Sequence, residues 1–179
     1  MDLQLETPRL LLRPFELSDA HDLFNMDANP NVHRYLWQKP TQQLEESRLL
    51  IAYIHKQYVE NNIGRFATIL KDTNEFIGWT GIKYVNDHVE NGQTNFYDYG
   101  YRLNEAFWGK GYATEASEAW LDYGFAQMNI QTLHAFTHHA NGASNQILSK
   151  LGMDFIEDYI AADGVKWNWW KLNNNLKNA

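Results

Sequence analysis

A glycine turn set between a strand pattern and a helix pattern constrains this chain more than any other feature. Trp108-Gly109-Lys110-Gly111-Tyr112-Ala113-Thr114 follows the aromatic-rich stretch Asn95 to Leu103 and opens a helical pattern from about Ala113 to Met128. The first N–H groups of a helix lack intrahelical acceptors, and the helix dipole adds partial positive charge there. Gly109 and Gly111 let the backbone come close to an anion and take a positive φ. Such a junction is a general phosphate site. Lys110 adds a charge at its rim, and Thr114 adds a hydroxyl in the first turn. The same residues also read as a plain strand-to-helix corner. They do not form a Walker A loop, because Gly109-Lys110 runs into Gly111 rather than Ser or Thr. Nor do they form the dinucleotide fingerprint. The turn follows the fourth strand pattern, not the first, and the third glycine is missing.

The pattern around the turn predicts one mixed sheet with helices on both faces. Leu10-Leu11-Leu12-Arg13-Pro14 reads as a strand stopped by proline. Ser18 is the candidate cap of a short helix through Phe24 and Met26, which Asn29-Pro30-Asn31 breaks. Thr41 to Glu60 is the longest helical pattern, with Thr41 as its candidate cap and Asn61-Asn62-Ile63-Gly64 closing it. Arg65 to Leu70 and Phe76 to Val85 read as a hairpin, and Asn91-Gly92 signals another. After the central helix, Leu133 to Thr137 reads as a strand and Ser144 to Leu151 as a helix ended by Gly152. Phe155 to Tyr159 and Lys166 to Leu172 are the last strands, before a polar tail. The expectation is an α/β chain of about seven strands and about four helices, one domain over 1–179 with its core over about 5–172.

Composition closes off several functions. No cysteine is present, so there is no disulfide framework, thiolate nucleophile or cysteine zinc site. The formal net charge is -7, which argues against binding nucleic-acid phosphates and suits a cationic partner, although acidic surfaces also serve solubility alone. No signal-peptide pattern and no apolar run of spanning length is visible, so neither a membrane partner nor export is expected. The absence of cysteine is consistent with the cytoplasm.

Three segments, in order and at matching spacing, carry a resemblance. Asp98-Tyr99-Gly100-Tyr101-Arg102-Leu103, Asn104-Glu105-Ala106-Phe107 and the glycine turn through Glu115-Ala116 make up the first. His139-Ala140-Asn141-Gly142-Ala143-Ser144, followed by Ser149-Lys150-Leu151-Gly152-Met153, is the second. The opening Leu5-Glu6-Thr7-Pro8-Arg9-Leu10-Leu11-Leu12-Arg13-Pro14 is the third. Together they resemble the GNAT N-acetyltransferases, in particular the branch typified by ribosomal-protein N-terminal acetyltransferases. Trp108 stands where the wider family has Gln or Arg, which is ordinary in this branch, and Met153 replaces the usual Phe.

The resemblance implies direct acetyl transfer from acetyl-CoA to a primary amine, with no metal and no covalent enzyme intermediate. It implies that Tyr101, Arg102 and Leu103 offer strand backbone to the pantetheine arm, and that Trp108, Gly109, Lys110, Gly111, Tyr112, Ala113 and Thr114 hold the pyrophosphate. Asn141 would bond the pantetheine, with Ser144 and Asn145 near the thiol or the nucleotide. Many members protonate the leaving thiol with a Tyr seven residues after the Asn. Here that position is Leu148, which leaves Ser144 as the candidate acid or as a helix cap. Asp98 is the candidate base, with a solvent-facing or paired role as the alternative, and His138 and His139 are weaker candidates. Glu115 reads as a helix-dipole partner. His33, Tyr35, Trp37 and Trp79 are candidate walls of the acceptor pocket. The acceptor is a small molecule or a protein N-terminus, and a homodimer is compatible with such a fold. A non-catalytic acyl-CoA-binding sensor is the competing reading.

Overall fold

The computed structural model describes residues 1–36 and 38–174. Its strands are β1 (Leu5–Glu6), β2 (Leu10–Arg13), β3 (Arg65–Leu70), β4 (Glu75–Val85), β5 (Phe96–Leu103), β6 (Thr132–His138), β7 (Asp154–Ile160) and β8 (Lys166–Asn173). The helices are α1 (Ala20–Asp27), α2 (Leu44–Asn61), α3 (Tyr112–Asp122) and α4 (Gly142–Lys150). The strands form one eight-stranded sheet in the order β1-β2-β3-β4-β5-β6-β8-β7. The strand beyond the expected seven is β1, a two-residue strand that pairs Leu5 with Leu12 and Glu6 with Leu11. It is too short to show a period in the sequence.

Every strand pairing is antiparallel except β5 with β6. That parallel pairing spans only Tyr97 with Leu133 and Asp98 with His134. β5 then continues to Leu103 along β4, and β6 continues to His138 along β8. A gap therefore opens in the middle of the sheet beyond Asp98.

Alternation along β5 assigns its two faces. Tyr99 and Tyr101 turn to one face, where the hydroxyl of Tyr99 meets Ser117 of α3 at 2.6 Å. Asp98 and Arg102 turn to the other, where Arg102 bonds Asp27 of α1. Helices thus cover both faces, as the pattern predicts. Trp120 of α3 anchors the first face. It is fully buried, donates its indole N–H to Thr80 Oγ1 at 3.0 Å and packs edge-on against Phe66.

Three helix starts differ from the sequence reading. Ser18 is not a cap. A 3₁₀ turn at Leu17–Asp19 leads into α1, and Asp19 takes the Glu16 N–H at 2.8 Å while bonded to both terminal nitrogens of Arg13. Thr41 is not the cap of α2 and lies outside it, its N–H bonded to Asp27 O. The helix begins after Gln43, with the Glu46 carboxylate taking the N–H groups of Gln42 and Gln43. Nor does Ser144 open α4, which starts two residues earlier behind Asn141. α3 ends in a π-helical turn, Tyr123–Gln127, so the expected single helix to Met128 changes winding partway.

Trp120→Ala should cost about 3–5 kcal/mol, because it removes a large buried ring and one of the two hydrogen bonds of Thr80 Oγ1. Denaturant unfolding that shows a loss below about 1 kcal/mol would contradict this account of the α3 face.

Candidate active site

The glycine turn requires its glycines. Gly109 has φ 72° and Gly111 has φ 82°, both in the left-handed region. Gly111 is the residue before α3, so the first-turn N–H groups of Tyr112, Ala113 and Thr114 point back over the turn. Trp108 donates its indole N–H to Leu103 O at 2.8 Å, which ties the turn to the end of β5. That bond uses the carbonyl that the resemblance offers to the pantetheine. The Lys110 ammonium lies 5.2 Å from the Phe107 ring centroid, beside the start of the turn.

The N-terminal hairpin braces this turn through Glu115. Thr7 Oγ1 donates to Glu115 at 2.6 Å, the Arg9 backbone N–H at 2.9 Å and the Arg9 guanidinium at 2.6 Å. Arg9 also donates to Lys110 O at 3.0 Å and lies over the Tyr112 ring. Burial acts against the Glu115 carboxylate, but these bonds outweigh it and hold the carboxyl below its ordinary value.

The gap between β5 and β6 opens into a cavity of about 300 Å³ that passes from the α2 face to the N-terminus of α4. Leu50, Tyr53, Ile54 and Gln57 of α2 wall one end. Asn141, Ser144 and Leu148 wall the other, with Phe136, Thr137, His138 and Trp167 along the β6–β8 side. Tyr101 is the polar contact across the gap. Its hydroxyl donates to Ser144 Oγ at 3.0 Å, and burial pushes its pKa up, so it stays a neutral donor. Asn141 caps α4 by accepting the Ser144 N–H at 3.2 Å. The Ser144 hydroxyl is thereby released from capping and faces Tyr101.

Asp98 faces the cavity but is 1 % exposed and ion-paired with Arg65 through Oδ2. Arg65 also donates to Asp98 O and to Gly81 O, which fixes it across the sheet. Trp79 lines the cavity between two guanidinium groups, Arg65 at 5.4 Å and Arg102 at 5.2 Å from its ring centroid. Tyr35 lines the cavity against the His138 ring.

Other expected residues sit elsewhere. His33 is buried behind Arg102, with Nε2 3.9 Å from Asp27, and does not line the cavity. Burial first, then the nearby Arg102 charge, pushes its pKa down, so it is a neutral ring in the wall's support. Asn145 turns toward β6 and β8, accepting from Thr137 and Asn168 and donating to His139 O. The Arg102 side chain points to α1, so only its backbone faces the route expected for the cofactor. Trp37 lies outside the described residues.

His138 is a poor base as placed, and His139 does not line the cavity. His138 Nδ1 accepts the Ala140 N–H at 3.1 Å, so its neutral ring carries the proton on Nε2 and has no free lone pair. His139 Nδ1 is bonded to Lys166 O. Sequence reading also missed Arg65, Lys83, Tyr53 and Trp167 as cavity residues. For Arg65 and Lys83 a signal existed, since alternation with Trp79 along paired strands puts them on one face.

Known proteins fit this geometry. Residues 9–154 match the acetyltransferase (GNAT) domain. An uncharacterized N-acetyltransferase, p20, from Bacillus licheniformis is 34% identical over 163 residues, covering 89% of this chain and 89% of its own. Spermidine N(1)-acetyltransferase of Escherichia coli strain K12 is 27% identical over 169 residues, covering 94% of this chain and 81% of its own. The solved structure of a ribosomal-protein-S5-alanine acetyltransferase from Vibrio fischeri superimposes with a TM-score of 0.75 at 20% identity, covering 97% of this chain and 98% of that one.

Glu115→Gln should destabilise the protein near neutral pH by removing the charge and the Oε2 acceptor that hold the Arg9 guanidinium. The wild-type advantage should be full above the ordinary value of 4.5 and fade as pH falls through the lowered native value. Urea midpoints of both proteins across pH 3–7 check this, and a gap that grows on acidification would contradict it. The chain belongs to the GNAT acetyltransferases, and it is an acetyl-CoA-dependent N-acetyltransferase.

Proposed function

We propose that this enzyme acetylates the primary amine of a small molecule, by direct transfer within the gap between β5 and β6. The observation that carries the reading is the alignment of three parts along that gap. The glycine turn is tied to the end of β5 at Leu103, the Tyr101–Ser144 pair lies on one face and an aromatic, charged wall lies on the other.

The residues suit acetyl-CoA. Beyond Asp98 the β5 edge facing β6 has no strand partner, and unpaired backbone groups inside a sheet are costly unless something bonds them. A pantetheine arm carries amides that can do so. The first-turn N–H groups of Tyr112, Ala113 and Thr114, with Gly109 and Gly111 beneath them, suit its pyrophosphate. Asn141 keeps its Nδ2 donors for the arm, since only Oδ1 is used in capping. The Asn145 side chain is committed within the protein and falls out of the binding set.

Acetyl-CoA brings an activated thioester, and the chain orients the two reactants and handles protons. Asp98 Oδ1, free of Arg65, faces the acceptor amine, orients it and is the site for its departing proton. Ser144 Oγ–H, polarised by the Tyr101 hydroxyl, donates to the departing sulfur. Tyr35 and Trp79 hold the acceptor by ring contact.

A thiol-release assay with acetyl-CoA and a panel of amines and short peptides tests the reading, with the acetylated product identified by mass. Ser144→Ala should lower kcat about a hundredfold with little change in KM for acetyl-CoA. Tyr101→Phe should lower it less, since Ser144 keeps its hydroxyl. Full turnover in Ser144→Ala would remove the acid assignment. Tight CoA binding with no thiol release from any acceptor would favour the sensor.

A further inference from the structure

The acceptor side of the cavity holds one cation more than it holds anions to match. Asp98 is bonded to Arg65, and Asp27 takes Arg102 through both oxygens. Lys83 also lines the cavity, directly across the β4–β5 ladder from Asp98. No acidic oxygen among the described residues lies within 4.0 Å of its ammonium. The acids in its neighbourhood are committed elsewhere. Asp87 takes the Tyr53 hydroxyl at 2.6 Å and pairs with His88, and Glu90 takes the Tyr159 hydroxyl.

Lys83 is half-buried, and the charges of Asp98, Asp87 and Glu90, none of them bonded to it, offset its desolvation only in part. Burial accordingly pushes Lys83 below the ordinary lysine value. An anion brought in by a ligand would restore the charged form and gain more from it than it could at an exposed lysine. Beside it, Asp98 Oδ1 is the carboxylate oxygen that Arg65 leaves free. Directly opposed residues on paired strands have Cβ atoms about 5 Å apart. The wall thus sets an ammonium and a free carboxylate oxygen side by side on one face, more than 4.0 Å apart, with room for a ligand that bears both charges.

We propose that the acceptor is a small amine that also bears a carboxylate, bound with the carboxylate on Lys83 Nζ and the amine turned to Asp98 and the gap. This rests on the acetyltransferase reading of the cavity and narrows its substrate class. A cavity of about 300 Å³ has room for a metabolite of this kind. A polyamine fits poorly, because its second ammonium would meet Lys83 with Arg65 and Arg102 behind it. Each such like-charge approach at close range costs about 1 kcal/mol or more.

The test compares glycine, β-alanine, γ-aminobutyrate, glutamate and alanine with their methyl esters and with spermidine. Each is assayed for turnover by thiol release and for binding to the CoA-loaded enzyme by calorimetry. The best aminocarboxylate should exceed its ester and spermidine by about tenfold or more in kcat/KM. Lys83→Met should erase that preference, chiefly through the KM for the acid, and Lys83→Arg should retain most of it. Preference for spermidine or for the esters in the wild type, or an acid-to-ester ratio untouched by Lys83→Met, overturns the proposal. The wild-type panel decides even if Lys83→Met fails to fold. Lys83-dependent binding without thiol release would keep the pocket assignment and sink the transferase reading. Turnover that prefers spermidine would do the reverse.

Discussion

Two ladder positions hold the centre of this sheet together. β5 and β6 pair at Tyr97–Leu133 and Asp98–His134 and nowhere beyond. A longer pairing would satisfy more backbone groups and leave no cavity. Each strand is kept extended past the parting point by its other neighbour, β4 for β5 and β8 for β6. The gap is therefore rigid on both sides, and what bridges it is a side-chain bond, Tyr101 to Ser144, rather than backbone pairing. Because β5 residues alternate between faces, Asp98 and Tyr101 look to opposite sides of the sheet while both border the gap. Two reactants can thus approach from opposite faces and meet within it.

The cofactor side depends on a second, longer-range constraint. Glu115 sits in the first turn of α3, where a carboxylate would favour the helix dipole on its own. Its side chain is instead used to fasten Thr7 and Arg9, more than a hundred residues earlier in the chain. The bracing matters because the glycine turn has little else to hold it, with Gly109 and Gly111 both at positive φ. Trp108 supplies the other brace through Leu103. An exposed tryptophan in a loop suggests a ligand contact, yet its indole N–H is spent on tying the turn to the strand that feeds it.

The parts of the fold that were legible in the sequence are those with local signatures. The Asn91-Gly92 hairpin signal is borne out, both residues taking positive φ, and Gly152 ends α4 at φ 79°. Strand bounds were legible where alternation ran for several residues. Caps were less so, because Ser18, Thr41 and Ser144 have the right chemistry for a role that neighbouring residues fill instead, Asp19 with Glu16, Gln43 with Glu46, and Asn141. Thr41 is the clearest case, since α2 starts at Leu44 behind the Gln43–Glu46 capping box. In the site, the glycine turn stood out by its residues, and the Asn141–Ser144 segment was pointed to only by the family resemblance. The Arg65–Asp98 ion pair could not, as it joins strands 33 residues apart in the chain. Nor could the loss of His33 and Asn145 from the site, which follows from partners contributed by α1, β6 and β8.

Charge shows most clearly how a global property can mislead about a site. The chain carries a net charge of -7, which on its own suits a cationic acceptor. Along the acceptor wall the order is reversed, with Arg65, Lys83 and Arg102 against two carboxylates already held by arginines. The acidic groups that set the net charge lie largely on exposed surface, where salt screens them within about 8 Å at physiological ionic strength. Inside the cavity the dielectric is lower and the nearest charges dominate. On the proposed binding the acceptor's carboxylate takes up that surplus at Lys83 and leaves the amine facing Asp98, whose carboxylate can take its proton. Attack on a thioester needs the neutral amine, so a wall that sorted acceptors in this way would also prepare them to react.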